Sequence, residues 1–426
     1  MIRLLLAIVL VSAFLPRVAL GISCDADVAG EPQLHNVEAT PFRFQFDSGA
    51  TWELCWHVDP AAGLVLSRVY YAAPTEALRQ IFDAVSIGQI LFKYDEDEIE
   101  TPLLSEYGLS GSHDIDDNNH RCAEGELLSA IDGSQICSRA RYRDPLSKVR
   151  RSESKPRHEV TLDRWSRIGT HEYQQLWRLS EDGEIKPSVI FSGTVNRFTN
   201  DPDYGVRLGD VEQYASSATL LVNWRLDFNI NGTPANDRVD ELQFSPAEKN
   251  ATENAGFARD ISVEAIENES MRVTNREHFR GWRISDADQS SVDSSGVSGD
   301  TGSRIGYYLD PQGAGHRVVS QTHLWSEFDF FVTRRKACEQ LSSDNTARHQ
   351  GCAEGLDAFV DGESLSSADT VVWYSVSRHF SPRLEDYPAI TATEISFTLA
   401  PFDWSAQSMF SVDPAVVDSR PEAVDE

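Results

Sequence analysis

Histidine is the side chain best suited to proton or metal chemistry near neutral pH, and its spacing here is unfavourable for both. The chain has 11 histidines. No His-x-His or His-x3-His pair occurs, so no strand or helical turn offers two imidazoles for chelation. His113, His120, His158, His278, His316 and His323 are scattered and read as surface or loop residues. His171, followed by Glu172, and His379, just before Pro382-Arg-Leu-Glu-Asp386, stand in more suggestive company. Together they could form a two-histidine, one-carboxylate site. The plainer reading of His171 is a hydrogen-bonded histidine in a buried pocket, because a metal site needs three or more converging ligands.

Six cysteines remain: Cys24, Cys55, Cys122, Cys137, Cys338 and Cys352. None has the Cys-x2–4-Cys spacing of a zinc knuckle. Their even number favours disulfides, and local pairing suggests Cys24–Cys55, Cys122–Cys137 and Cys338–Cys352. The last two would close loops of roughly 15 residues, each contributing about 3 kcal/mol if unstrained. Asn231-Gly-Thr, Asn250-Ala-Thr and Asn268-Glu-Ser are glycosylation sequons whose meaning depends on the host.

The compartment follows from the first 21 residues. Arg3, an apolar run from Leu4 to Leu15 and the small residues near Gly21 read as a secretory signal, too short to span a bilayer. No later run is long and apolar enough to span, which predicts a secreted or periplasmic product. The formal charge is −29, and losing Arg3 and Arg17 with the signal takes it to −31. Such a charge argues against nucleic acid and anionic membranes as partners. It suits solubility, or attraction of divalent cations and polyamines.

The elements that must position any site are mostly β-like. Short apolar runs at 63–71, 188–191, 218–227, 370–376 and 395–399 are separated by turn-forming residues, which predicts a large all-β sandwich. Residues 73–85, with Pro74 near their start, read as a helix. Residues 286–302, rich in Ser, Asp and Gly, and the basic stretch 139–157 read as loops. The tail from Asp413 is acidic. The expected division is a signal over 1–21, an extension over 22–51, a main domain over 52–414 and a tail over 415–426.

Several motifs recur in a telling order. They are Ala62-Gly-Leu-Val-Leu-Ser-Arg-Val-Tyr-Tyr71, Ser105-Glu-Tyr-Gly108, the Cys122/Cys137 pair, and the segment Arg167-Ile-Gly-Thr-His-Glu-Tyr-Gln-Gln-Leu-Trp-Arg-Leu-Ser-Glu-Asp-Gly183. Trp282-Arg-Ile, Asp369-Thr-Val-Val-Trp-Tyr374 and Pro382-Arg-Leu-Glu-Asp-Tyr-Pro388 follow. In this order they resemble the catalytic domain of copper amine oxidases, collinear over residues 52–414. The resemblance implies that family's β supersandwich, a homodimer and, at Cys122–Cys137, a disulfide the family commonly carries. The short span before the first match would leave no room for the family's smaller amino-terminal domains.

The resemblance also implies where the chemistry should lie. The family's topaquinone forms from a tyrosine, and anchoring on Trp177 and Asp182-Gly183 puts His171 there, with Tyr173 matching the family's second tyrosine. The tyrosine that hydrogen-bonds the quinone matches Tyr94. The carboxylate base falls on Leu103. Two copper histidines on one strand fall on Ala218 and Leu220, and the third has a candidate in His379, one residue out of step. A peripheral calcium-type site would use Asp227, the Phe228 carbonyl, Asn229, Asp369 and the Thr370 carbonyl, all oxygen donors. The expectation is an exported pseudoenzyme without copper or topaquinone, binding an unknown ligand or protein partner. The alternatives are an oxidoreductase or other enzyme with altered chemistry at His171, His379 and Tyr94, or, in a different register, an active primary amine oxidase built on Tyr173.

Overall fold

The computed structural model describes residues 22–24, 38–98, 100–109, 122–150, 153–209, 212–246, 259–275, 277–290, 304–311, 320, 322–345 and 351–405. The signal, the Asn250 sequon and the acidic tail lie outside these residues. Two large antiparallel sheets dominate. The nine-stranded sheet runs, in spatial order, Thr40–Gln45, Thr51–Asp59, Gly63–Ala72, Arg79–Tyr94, Ala218–Phe228, Thr370–Phe380, Phe330–Arg334 and Ser270–Arg272, with Thr101–Pro102 paired to Arg79–Tyr94. The eleven-stranded sheet runs Arg259–Ala265, Asp237–Pro246, Gly281–Ser290, Arg304–Asp310, Thr398–Phe402, Ile185–Thr194, His171–Ser180, Glu153–Ile168, Gln135–Arg150 and Glu126–Ser129, with Ala389–Ser396 paired to Ile185–Thr194. Phe198–Thr199, Tyr214–Ser216 and Gly205–Arg207 form a separately hydrogen-bonded three-stranded sheet.

The two large sheets share one apolar core. Trp52, Trp56, Ile90, Val222 and Tyr374 from the first pack in the same cluster as Leu162, Trp177, Val189, Trp282 and Tyr307 from the second. Trp282 stacks on Phe330 at 4.2 Å. Polar atoms inside the core are paired across it: Trp52 Nε1 donates to the Ser180 carbonyl at 2.9 Å, and Gln175 Oε1 accepts from the Leu64 amide at 2.7 Å. Such pairing removes the cost of burying them. A smaller cluster of Leu91, Leu221, Trp325, Phe331, Leu356, Phe359, Val371 and Trp373 covers part of the opposite face of the nine-stranded sheet.

That second cover explains the expectation the structure overturns at residues 73–85. The segment from Arg79 is a 16-residue strand, Arg79–Tyr94, in the middle of the sheet. Both of its faces are buried, so its apolar residues do not alternate and the pattern mimics a helix. Pro74 and Thr75, the latter at φ 67°, belong to the turn before it. The strand-like run at 395–399 is two strands, ending at Ser396 and starting again at Thr398. The Thr40–Gln45 strand pairs with Thr51–Asp59, so the sheet begins before residue 52.

The basic stretch 139–157 is also not a loop. It lies in a long hairpin of Gln135–Arg150 and Glu153–Ile168. Its arginines find acids on the facing strand and in the next hairpin turn: Arg139 pairs with Asp163, Arg141 with Glu159 at 2.7 Å, Arg143 with Glu184 at 2.5 Å and Arg157 with Asp182 at 2.9 Å. The first two pairs are cross-strand, and the last two tie the hairpin to the turn at residues 181–184. Residues 286–290 likewise belong to the Gly281–Ser290 strand, while the rest of the 286–302 stretch lies outside the described residues.

The three disulfides join Cys24–Cys55, Cys122–Cys137 and Cys338–Cys352, with Cα separations of 5.7, 5.5 and 6.0 Å. Across the eleven-stranded sheet, Glu394 receives both Arg178 guanidinium nitrogens at 2.8 Å and Lys186 at 3.0 Å. Burial alone would raise its pKa, but the hydrogen bonds and charges of Arg178 and Lys186 outweigh this and draw the carboxyl down to about 2. The stabilisation is therefore complete above the ordinary glutamate range and is lost as pH falls through about 2. Glu394→Gln is expected to cost about 2 kcal/mol near neutral pH. The gap between native and variant protein should close as denaturation midpoints are followed into acid.

Candidate functional site

The end of the nine-stranded sheet builds the site. Ala218 lies between Tyr94 and Phe380 in the antiparallel ladder, and Leu220 pairs with Phe92. Alternate strand residues share a face, so Phe92, Tyr94, Ala218, Leu220 and Phe380 all point inward. From the other sheet, the hairpin turn at Gly169-Thr170 launches the His171–Ser180 strand, and Gly193 sits opposite His171. Gly193 has φ 130°, and a Cβ there would lie 2.4 Å from the Thr170 carbonyl oxygen. Only glycine lets the turn come this close.

These side chains meet at a cleft open to solvent. Tyr94 Oη lies 3.5 Å from His171 Nε2. The His171 ring is 5.2 Å from Phe92 and 5.1 Å from Phe191, and Phe191 is 5.9 Å from Phe380. Val195, Asn196, Arg197, Ser216, Pro382 and Ile390 complete the lining. Arg197 lies over the Tyr94 ring at 4.7 Å and is held by Glu96 at 2.6 Å and Asp97 at 2.5 Å. Burial pushes the His171 imidazole down to about 4. It is neutral at physiological pH. Burial pushes the Tyr94 phenol up to about 12, with Arg197 acting against the shift.

The structure thus joins Tyr94 with His171 and sets Ala218 beside them. Other expected residues go elsewhere. His379 pairs across the ladder with Thr219, which also faces Lys93, on the opposite face of the sheet. There its Nε2 lies 2.8 Å from Asp95 Oδ2. One residue of slip reverses a strand side chain, so Phe380 enters the cleft and His379 does not. Glu172 alternates away from His171, which disperses the two-histidine, one-carboxylate set. Leu103 is buried in the core on the short helix Leu103–Glu106, and Leu220 is buried beside Phe92. Tyr173 is fully buried against Phe191 and does not line the cleft. Ala218, Leu220 and Phe380 carry no ligand atom, so this donor set does not fit copper, and imidazole at 171 cannot be oxidised to a quinone.

A second group of polar residues gathers where the Ala218–Phe228 and Thr370–Phe380 strands pair. Arg335 Nε lies 3.0 Å from Asp227 Oδ2 and 3.7 Å from Asp369 Oδ2, and Arg225 also reaches Asp227 at 3.1 Å. Asn229 donates to Asp83 at 2.8 Å. Five buried oxygens are left without a hydrogen bond: Asp227 Oδ1, Asn229 Oδ1, Asp237 Oδ2, Asp369 Oδ1 and Thr370 Oγ1. Burial lifts Asp227 to about 7, with Arg225 only partly countering and Asp369 and Asp83 adding to the rise. Burial likewise lifts Asp369 to about 6. Orphaned oxygens and reluctant carboxylates suit a hard cation. Asp83, Asp237 and Arg335 carry no local motif and emerge only from strand pairing.

Of the sequons, Asn268 is exposed, while Asn231 is half-buried with its amide 3.3 Å from Asp286.

Comparison with known proteins agrees with this architecture. The family described as copper amine oxidase, enzyme domain, matches residues 136–417. A primary amine oxidase of Arthrobacter sp. (strain P1) is 24% identical over 352 residues, covering 79% of this chain and 51% of that protein. A histamine oxidase of Arthrobacter globiformis is 28% identical over 278 residues, covering 58% of this chain and 36% of that protein. The chain thus spans about half or less of the length of these curated relatives. Among solved structures, the Aspergillus nidulans amine oxidase superposes with a TM-score of 0.69 at 18% identity, covering 84% of this chain and 52% of that one. A copper-containing benzylamine oxidase from Hansenula polymorpha superposes with a TM-score of 0.69 at 15% identity, covering 90% and 65%. With the family match extending over more than half its length, this chain belongs to the copper amine oxidase family, through that family's enzyme domain.

Proposed function

We propose that this chain is an exported pseudoenzyme of its family, a homodimer that binds a ligand or partner without oxidising amines. The observation that carries the reading is the cleft at His171. Where the family resemblance calls for a quinone precursor, a metal and a base, the chain has His171, then Ala218, Leu220 and Phe380, then Leu103. The changes are mutually consistent. An imidazole or carboxylate kept after its partners had gone would be buried and unpaired, at a cost of about 1–3 kcal/mol each. Alanine, leucine and phenylalanine remove that cost and fill the space with packed apolar surface. The retained Tyr94 hydrogen-bonds the substituted position. Export rests on the amino-terminal segment and the three disulfides. Among the described residues no helix is long and apolar enough to cross a membrane.

The polar group around Asp227, Asn229 and Asp369 is proposed as a structural calcium site, kept although the reaction centre was not. The test of lost chemistry is turnover. Native protein is expected to release no hydrogen peroxide from primary amines above a heat-killed control. Leu103→Asp alone is expected to restore nothing, because the reacting groups act as a unit. Amine-dependent peroxide from the native chain would refute the reading.

A further inference from the structure

Beyond both sites, three carboxylates crowd one end of the sandwich. Glu269, Asp361 and Glu363 each present an oxygen within 4.8 Å of the others. They are held there by backbone. Buried Glu269 accepts from the amides of Arg334 at 2.8 Å, Asp361 at 3.0 Å and Glu363 at 3.4 Å. The Glu269 amide in turn donates to the Glu363 carbonyl at 2.9 Å, and Leu365 donates to Glu267 at 2.9 Å. The loop after the short helix Leu356–Phe359 is thereby pinned against the segment leading into Ser270–Arg272. Like charges at this spacing repel, and the repulsion is relieved by a held proton or by a cation: burial first, then the hydrogen bond and charge of Asp361, push the Glu269 carboxyl up.

Lys336 supplies one. Its Nζ is 2.8 Å from Glu363 Oε2, 3.5 Å from Asp361 Oδ2 and 3.8 Å from the buried Glu339 Oε1. The backbone that carries it is fixed one residue earlier, where the Arg335 amide donates to the Asp369 carbonyl at 2.8 Å. Oxygens gathered from separate segments around one positive centre are the arrangement a hard cation takes in a protein. Here the centre is an ammonium tethered to the chain. Burial opposes that charge, but the hydrogen bond Lys336 donates to Glu363 and the fields of Glu339, Asp361 and Glu269 outweigh it.

We propose that Lys336 is a built-in counter-ion, standing where a divalent cation would otherwise sit among Asp361, Glu363 and Glu339, with Glu269 behind them, and that removing its charge opens a calcium-type site. The loop is thus held without metal.

The test compares melting of native protein, Lys336→Met and Lys336→Arg, first with chelator and then with millimolar calcium or sodium chloride of equal ionic strength. Lys336→Met is expected to melt a few degrees below native in chelator and to recover with calcium but not sodium. Lys336→Arg should melt as native does. Adding Asp361→Asn to Lys336→Met should abolish the recovery, which separates this cluster from the Asp227 group. Lys336→Gln serves as a second neutral variant if the methionine form is poorly folded. The proposal fails if neutral variants melt as native does in chelator, or gain no extra response to calcium. It also fails if Asp361→Asn reduces the calcium response of the native chain, since an ion would then sit beside the lysine.

Discussion

Replacing Ala218, Leu220 and Phe380 together with histidine is expected to create a Cu(II) site of at least micromolar affinity that the native chain does not have. Ala218 and Leu220 are two apart on one strand and share its inner face. Phe380 is the ladder partner of Ala218. Three imidazoles at these positions would converge, and imidazole is a good ligand for Cu(II). The control is the double variant Ala218→His, Leu220→His, which leaves Phe380 in place and His379 available. Because His379 faces the other side of the sheet, beside Asp95, the double variant should bind at least about tenfold more weakly, a difference of about 1.4 kcal/mol. Copper titration followed by electron paramagnetic resonance reads both affinity and nitrogen ligation. Equal affinity in the two variants would mean that His379, not residue 380, reaches the cleft.

Asp227→Ala is expected to destabilise the chain by about 3–5 kcal/mol, because it leaves the buried Arg225 guanidinium without its carboxylate. Its second effect concerns calcium. The native protein should melt higher in calcium than in magnesium or chelator. A site of millimolar affinity contributes only about 1.4 kcal/mol at tenfold excess. Asn229 puts affinity at this weak end, since an amide lacks the charge of a carboxylate. Asp227→Ala should abolish the calcium increment on top of lowering the baseline. If native protein and variant respond equally to calcium, the effect is screening of a chain carrying −29, with no specific site.

Much of this site could be read before the fold was known, for physical reasons that differ by residue. Tyr94 and His171 are far apart in the chain, yet ordered motifs placed each, and their side chains meet at 3.5 Å. Strand alternation put Ala218 and Leu220 on one face. The cysteine pairs followed from pairing neighbours along the chain, two of them closing short loops. What could not be read depended on register or on burial of both faces. His379 was counted from a motif beyond the end of its strand, and an error of one residue reverses a side chain. Arg79–Tyr94 is covered on both sides, so its apolar pattern has no strand period. The 139–157 hairpin reads as a loop because its acidic partners, Glu159, Asp163, Asp182 and Glu184, lie outside the basic stretch itself. Arg197 and Phe380 act through neighbours distant in sequence, as Lys336 does toward Asp361 and Glu363, and nothing in their local sequence marks them.

The most direct test of lost chemistry is made on the native chain. Purified protein is incubated with excess Cu(II) and oxygen, dialysed, then analysed for metal and stained for quinone after denaturing electrophoresis. The expected result is a colourless protein with no quinone stain and only substoichiometric, readily chelated copper. A quinone band, or roughly one tightly held copper per chain as a working copper site requires, would contradict it.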